Sequence, residues 1–297
     1  MCDGHMIYVE QCGRPDGIPV VVFHGGPGGG CSPAMRRYFD PSVYRVVLFD
    51  QRGCGRSRPH ASVENNTTWH LIADIERIRA ELEIEQFIAF GGSWGATLAL
   101  IYAISHPTRL SQMVLRGVFL MTKAELDWFY GGGVAAFYPD LWEEFLAILS
   151  EKDRVEPVAG YHRLLFSGDV AQETKAGKIW SAWENALASV RNTGPLAEGP
   201  AEYSRTFARL ENHYFYNAGF LEYDGWILAE RERFKHIPTV VVQGRYDMIC
   251  PPVSAWKLAS DWPGCELRIV PFSGHALSET GISEALVSVM DDIARRL

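Results

Sequence analysis

The chain of 297 residues is 47% hydrophobic, enough to bury a sizeable core as one large domain or as a core with an insertion. Its 36 acidic against 28 basic residues leave a formal charge of −8 and no Lys/Arg-rich run able to neutralise phosphates, which argues against a nucleic-acid partner. No stretch approaches the run of about 20 apolar residues that a bilayer demands, and the opening "MCDGHMIYVE" lacks a basic region followed by an apolar run, so a cytoplasmic protein without a membrane partner is expected.

In chain order, Asp3-Gly4 is a hairpin-turn signal with no residues before it to form a strand, so the chain reads as beginning inside a hairpin and lacking a first strand. Short apolar runs follow: "VVVFH" (20–24), "RVVLFD" (45–50), "FIAFGG" (87–92), "MVLRG" (113–117), "TVVVQG" (239–244) and "LRIVPF" (267–272). They are rich in β-branched residues and alternate little, as strands buried on both faces of a parallel sheet do. Between the second and third runs, Leu71, Ile75, Ile78 and Leu82 recur at helical spacing, with cap candidates from Asn65 to Thr68. The alternation of strand and helix predicts a three-layer α/β domain. It breaks over 119–236, a stretch rich in Trp, Tyr, Phe, Glu and Ala that reads as helix with loops such as "NTGPLAEGP" (192–200), hence a helical insertion on a sheet that resumes at Thr239. The six cysteines, Cys2, Cys12, Cys31, Cys54, Cys250 and Cys265, are scattered without a CxxC pair or a His/Cys cluster at ligand spacing, and read as free thiols with no metal.

Three motifs carry chemistry. "GGSWG" (91–95) stands between a strand and the helical run "ATLALIYAISH", the context in which GxSxG becomes a nucleophile elbow exposing Ser93; Gly91 and Gly95 are required small because backbone crowds that turn. The bland alternative is a glycine-rich turn with an incidental serine. "HGGPGGG" (24–30) invites a phosphate-loop reading, but it matches neither GxGxxG nor GxxxxGK[ST]. The competing reading gives one oxyanion donor to the Gly26 amide and the other to the amide of Trp94, the residue after the nucleophile. A base and an orienting acid follow late strands in the order Ser, Asp, His: Asp247 in "GRYD" and His275 in "SGHA".

Together with "DQRGCGRS" (50–57), "NNTTW", "WSAWE" (180–184) and "ENHYF" (211–215), these motifs closely resemble the proline iminopeptidases, also called prolyl aminopeptidases, of the α/β-hydrolase superfamily. The resemblance spans nearly the whole chain. It implies an α/β-hydrolase sandwich with a mostly parallel sheet, made of residues 1–118 and 237–297, and a helical cap, 119–236, inserted after the sixth strand. It implies release of N-terminal proline from peptide substrates by a serine mechanism, with no cofactor. Ser93, Asp247 and His275 would form the triad, with Gly26 and Trp94 as oxyanion donors. Glu184 and Glu211 match the cap glutamates that bind the substrate's amine, while Phe119 and Phe215 match the aromatic lining of the proline pocket. The Asp50 to Arg56 loop reads as structural. Asn185, in "WENAL" where "WEG" is expected, departs from the pattern at the entrance.

A close carboxylate pair suits an enzyme that must tell a charged secondary amine from an internal amide, and mutual repulsion should raise at least one of its pKa values. The packing alternative makes Glu184 an exposed helix residue and Trp180 and Trp183 cap core. Two other functions share these motifs: a broader arylamidase or esterase, and a non-catalytic ligand-binding protein, against which the full Ser, Asp and His set argues.

Overall fold

The computed structural model describes residues 3–191 and 199–296. Seven strands form one sheet: β1 (Val9–Gly13), β2 (Ile18–Phe23), β3 (Tyr44–Phe49), β4 (Phe87–Ser93), β5 (Leu110–Val118), β6 (Thr239–Gly244) and β7 (Cys265–Val270). Their spatial order is β1-β3-β2-β4-β5-β6-β7; β1 runs antiparallel to β3, and all other pairs are parallel. The six apolar runs of the sequence are the six parallel strands.

Their lack of alternation has the expected cause. Val21, Phe23, Val47, Phe49, Phe87, Ala89 and Val241 join one apolar cluster, shared with α1 (Thr68–Glu81) and α2 (Trp94–Ser105). The intervening Val20, Val22, Val46, Leu48, Ile88, Phe90 and Val242 join the other, where α10 (Thr280–Arg296) packs Ile282, Leu286, Val289, Met290 and Ile293 at helical spacing. Successive side chains point to opposite faces, so covering both faces demands an apolar residue at every position. Helix α1 starts where expected: the Thr67 hydroxyl accepts the His70 N–H, and the His70 ring returns the bond to the Thr67 N–H.

Between β5 and β6 the chain carries α3 (Lys123–Tyr130), α4 (Pro139–Leu146), α5 (Pro157–Leu165), α6 (Val170–Leu187), α7 (Ala201–Tyr216) and α8 (Trp226–Ala229), and no strand among the described residues. Helix α9 (Pro252–Ala259) then joins β6 to β7. The loop expected over 192–200 falls mostly outside the described residues, as does Cys2; the other five cysteines are free.

Two expectations change. The insertion follows the fifth strand, not the sixth, because no strand precedes β1 among the described residues. Asp3-Gly4 does make a turn, with Gly4 at φ +87°, but its described partner is not a strand: the Asp3 carboxylate takes the Arg52 guanidinium at 2.5 Å. Strand β1 itself escapes sequence reading because its edge position, half-buried and polar (VEQCG), needs no apolar run. No described helix is long and apolar enough to cross a membrane.

Candidate active site

The chain leaves β2 for β3 on one side and then crosses to β4 on the other, so the sheet order reverses between β2 and β4. A crevice opens beyond the carboxyl ends of strands at such a point. The loops that leave β2 and β4 there are the two glycine-rich motifs.

Ser93 ends β4 and immediately precedes α2, with φ 59° and ψ −127°. This is a strained setting for a residue with a Cβ, and one that surrounding contacts must impose. The glycines of the elbow admit those contacts: a Cβ on Gly95 would lie 2.0 Å from the Phe23 carbonyl oxygen, and one on Gly91 would lie 2.4 Å from that of Gly95. Ser93 is buried, as is the Cys250 thiol, whose pKa burial and the Asp247 charge push well up.

Asp247 and His275 follow β6 and β7. The His275 Nδ1 lies 2.8 Å from Asp247 Oδ2, and both residues are buried. The Asp247 carboxylate also accepts from the Gln243 amide at 3.1 Å and from the Ile249 and Cys250 N–H groups at 3.1 and 2.8 Å, so it is held in place on three sides. The imidazole reaches back over β5: a Cβ on Gly117 would lie 2.9 Å from His275 Cε1 and 3.0 Å from Nδ1. Val118, the next residue, pairs with Ser93 in the sheet. Arg116 completes this row, its buried Nη1 donating to the His275 carbonyl at 2.7 Å.

The loop after β2 crosses the elbow, since a Cβ on Gly25 would stand 3.4 Å from the Ser93 Cβ. Gly26 adopts φ +111°, a conformation open to glycine, and a side chain there would lie 2.6 Å from the Gly28 nitrogen. Two consecutive residues fix the loop's ends. Gln51 Nε2 donates to the His24 carbonyl at 2.9 Å, and Asp50 Oδ1 accepts the Cys31 N–H at 2.7 Å. Gln51 Oε1 also accepts the Trp94 indole N–H at 3.0 Å, so one amide joins the two residues' segments assigned to the oxyanion.

Helix α7 roofs this loop with Phe207 against Gly26 and Leu210 against Gly28. Its inward face, Phe207, Leu210, Glu211 and Tyr214, has the spacing of a core stripe, and Glu211 is the charge within it, 1% exposed. Glu211 Oε2 accepts the Trp180 indole N–H at 2.6 Å and the Tyr130 hydroxyl at 3.3 Å. Glu184, one helical turn beyond Trp180 on α6, is the neighbouring carboxyl group. Burial lifts Glu184 to about 7; burial and the Glu184 charge raise Glu211 well above the usual carboxylate range. Glu184 Oε2 is buried and has no hydrogen-bond partner among the described residues, an acceptor left open. Phe119 meets Phe215 edge-on at 5.7 Å, and Tyr130 sits 5.7 Å from Phe215 while stacking on Trp180 at 4.2 Å.

All nine residues singled out by sequence thus gather at this crevice and its roof. Sequence reading missed Gln51, Tyr130 and Arg116. Gln51 lies within the "DQRGCGRS" motif, read only as structural; Tyr130 had no motif; Arg116 stood inside a run read as buried strand. Asn185 is exposed.

A family profile described as the alpha/beta hydrolase fold matches residues 18–282. A proline iminopeptidase of Arabidopsis thaliana is 51% identical over 96% of this chain and 76% of its own length; one of Xanthomonas citri is 48% identical over 98% and 94%. Among solved structures, a carboxylesterase of Nitrososphaera gargenis superposes with a TM-score of 0.65 at 17% identity over 99% and 97% of the two chains, a likeness of fold alone. The catalytic fold, the carboxylate-bearing roof and this identity along both chains converge: the protein belongs to the α/β-hydrolase family and, within it, to the proline iminopeptidases.

Proposed function

We propose that this protein is a serine exopeptidase that releases N-terminal proline from peptides, with residues 119–236 acting as the cap that confers the specificity. The observation that carries the reading is the pairing of half-buried Glu184 with fully buried Glu211 beside Phe119 and Phe215, set in the roof above the serine elbow. A hydrolase of simple esters has no use for two carboxylates in an apolar roof. A prolyl ammonium offers two N–H donors and a positive charge to them, and its ring offers apolar surface to the phenylalanines.

In this reading His275 Nε2 takes the Ser93 hydroxyl proton while Asp247 holds Nδ1–H. Ser93 Oγ bonds to the prolyl carbonyl carbon, and the oxygen that becomes negative lies between the Gly26 and Trp94 amides. His275 returns the proton to the departing amine as the peptide bond breaks. Water, deprotonated by the same imidazole, then attacks the prolyl-serine ester and frees proline. An acylated nitrogen carries no charge to pair with the roof carboxylates, so cleavage is confined to a free N-terminus.

The test compares turnover of prolyl, alanyl and N-acetylprolyl arylamides by the wild type and by Ser93→Ala. Expected are a marked preference for free proline and a loss of about 10⁴-fold or more in kcat for the variant. Equal turnover of the acetylated substrate would reject the aminopeptidase reading.

A further inference from the structure

The backbone of the histidine loop is held chiefly by the cap helix that carries Glu184. Three successive N–H groups are involved. His275 and Ala276 both donate to the carbonyl of Ala188, the residue that closes α6, at 2.9 and 2.7 Å. Gly274 donates to Glu279 Oε2 at 2.6 Å, and the other oxygen of that carboxylate accepts the Val190 N–H at 2.7 Å. Glu279 therefore bridges the segment leaving α6 and the segment entering His275. Gly274 lets them approach: a Cβ there would meet the Ala188 oxygen and the Val190 nitrogen, each at 3.3 Å. On the far side, Arg116 holds the His275 carbonyl, so the residue's N–H and C=O are fixed by different elements.

We propose that Glu279 is a positioning residue for the hydrolysis, locking the end of α6 to the histidine loop so that Glu184 and His275 move as one unit. Ala188 lies one helical turn after Glu184. A displacement of α6 at the amine clamp is thus transmitted to the imidazole through two hydrogen-bonded backbone groups and one carboxylate. Placement errors of about 1 Å at a general base cost on the order of 100-fold in rate. The bridge borders an open cavity of about 420 Å³ lined by Ser189, Val190, Ser273 and Glu279. Water entering there can satisfy the two N–H groups when the carboxylate is removed, which loosens the loop without unfolding it.

The inference rests on His275 being the general base of the proposed function. Its test is the rate at which a fluorophosphonate labels Ser93, a reaction that uses the base but neither the clamp nor a prolyl substrate, measured beside kcat and KM for a prolyl arylamide. Glu279→Ala should lower both kcat and the labelling rate by about 10- to 100-fold, with KM within threefold and the midpoint of the pH profile displaced. Glu279→Gln, which keeps one acceptor oxygen, should recover part of the loss and supplies the measurement if the alanine variant does not fold. Unchanged labelling and kcat in both variants would overturn the proposal, as would a change in KM alone. Normal labelling of the wild type without prolyl turnover would reject the substrate assignment while leaving the Glu279 result readable.

Discussion

The Trp180 indole donates to Glu211 Oε2 at 2.6 Å from the neighbouring helix of the cap. The tryptophan is fully buried and packed, as its helical spacing alone suggests, and it also orients the carboxylate. Such a hydrogen bond contributes roughly 0.5–1.5 kcal/mol, which helps to hold Glu211 among aromatic rings.

Glu211→Gln keeps the volume and an acceptor for Trp180 but removes the charge offered to the substrate amine. We expect kcat/KM for free-amine prolyl arylamides to fall by about 100-fold or more, from loss of a charge-assisted contact, while p-nitrophenyl acetate hydrolysis stays within about threefold. Parallel losses on both substrates would mean that Glu211 supports the fold rather than the clamp.

The same pair makes stability depend on pH. Both folded-state pKa values lie above the ordinary carboxylate value: Glu184 is lifted to about 7, and burial and the Glu184 charge push Glu211 up as well. Their contribution is therefore complete below about pH 4.5 and is lost as pH rises through neutrality, when the pair must ionise. Glu211→Gln, which cannot ionise, should melt higher than the wild type at pH 8, and the gap should shrink at pH 5. A difference of the order of 5 °C is expected, since 1 kcal/mol moves Tm by about 2–4 °C in chains of this size. Calorimetric or fluorescence melts across pH 5–8 check it; a constant gap would contradict it.

Gln51→Leu leaves the His24 carbonyl and the Trp94 indole without their shared partner. The oxyanion loop and the elbow then lose their link, and kcat should fall by about 10- to 100-fold with little change in KM, somewhat less than loss of a donor itself. A prolyl boronate, which mimics the tetrahedral state, should lose affinity by the same factor while prolinamide does not. Equal loss for both ligands would assign Gln51 to general packing.

Gly117→Ala places a methyl 2.9 Å from His275 Cε1 at a φ of +54°. The backbone alone costs roughly 1–2 kcal/mol there, and the imidazole must move. We expect at least a tenfold drop in kcat with a folded far-ultraviolet dichroism spectrum; full activity would show that the ring is free to shift.

The parallel strands were legible because burial on both faces writes itself as uninterrupted apolar runs, and Ser93, Asp247 and His275 were legible because each follows such a run. Strand β1 was not, since an edge strand with one wet face carries no such mark. The anchoring of His275 was hidden for a deeper reason: its partner is the main-chain carbonyl of Ala188, which almost any side chain would leave in place. Gln51 lay in a motif quoted from the sequence, yet a glutamine between a carbonyl 27 residues upstream and an indole 43 residues downstream is visible only once β2, β3 and β4 lie side by side.

The raised pKa values of the two roof glutamates have one further consequence. Near neutrality the pair retains a proton, and a prolyl ammonium docking there, as the proposed function has it, brings its own positive charge. Binding is then an exchange of one cation for another, with the hydrogen ion as the resident competitor of the substrate. Acidification strengthens that competitor and raises KM, and the heat of binding varies with the ionisation enthalpy of the buffer that receives the displaced proton.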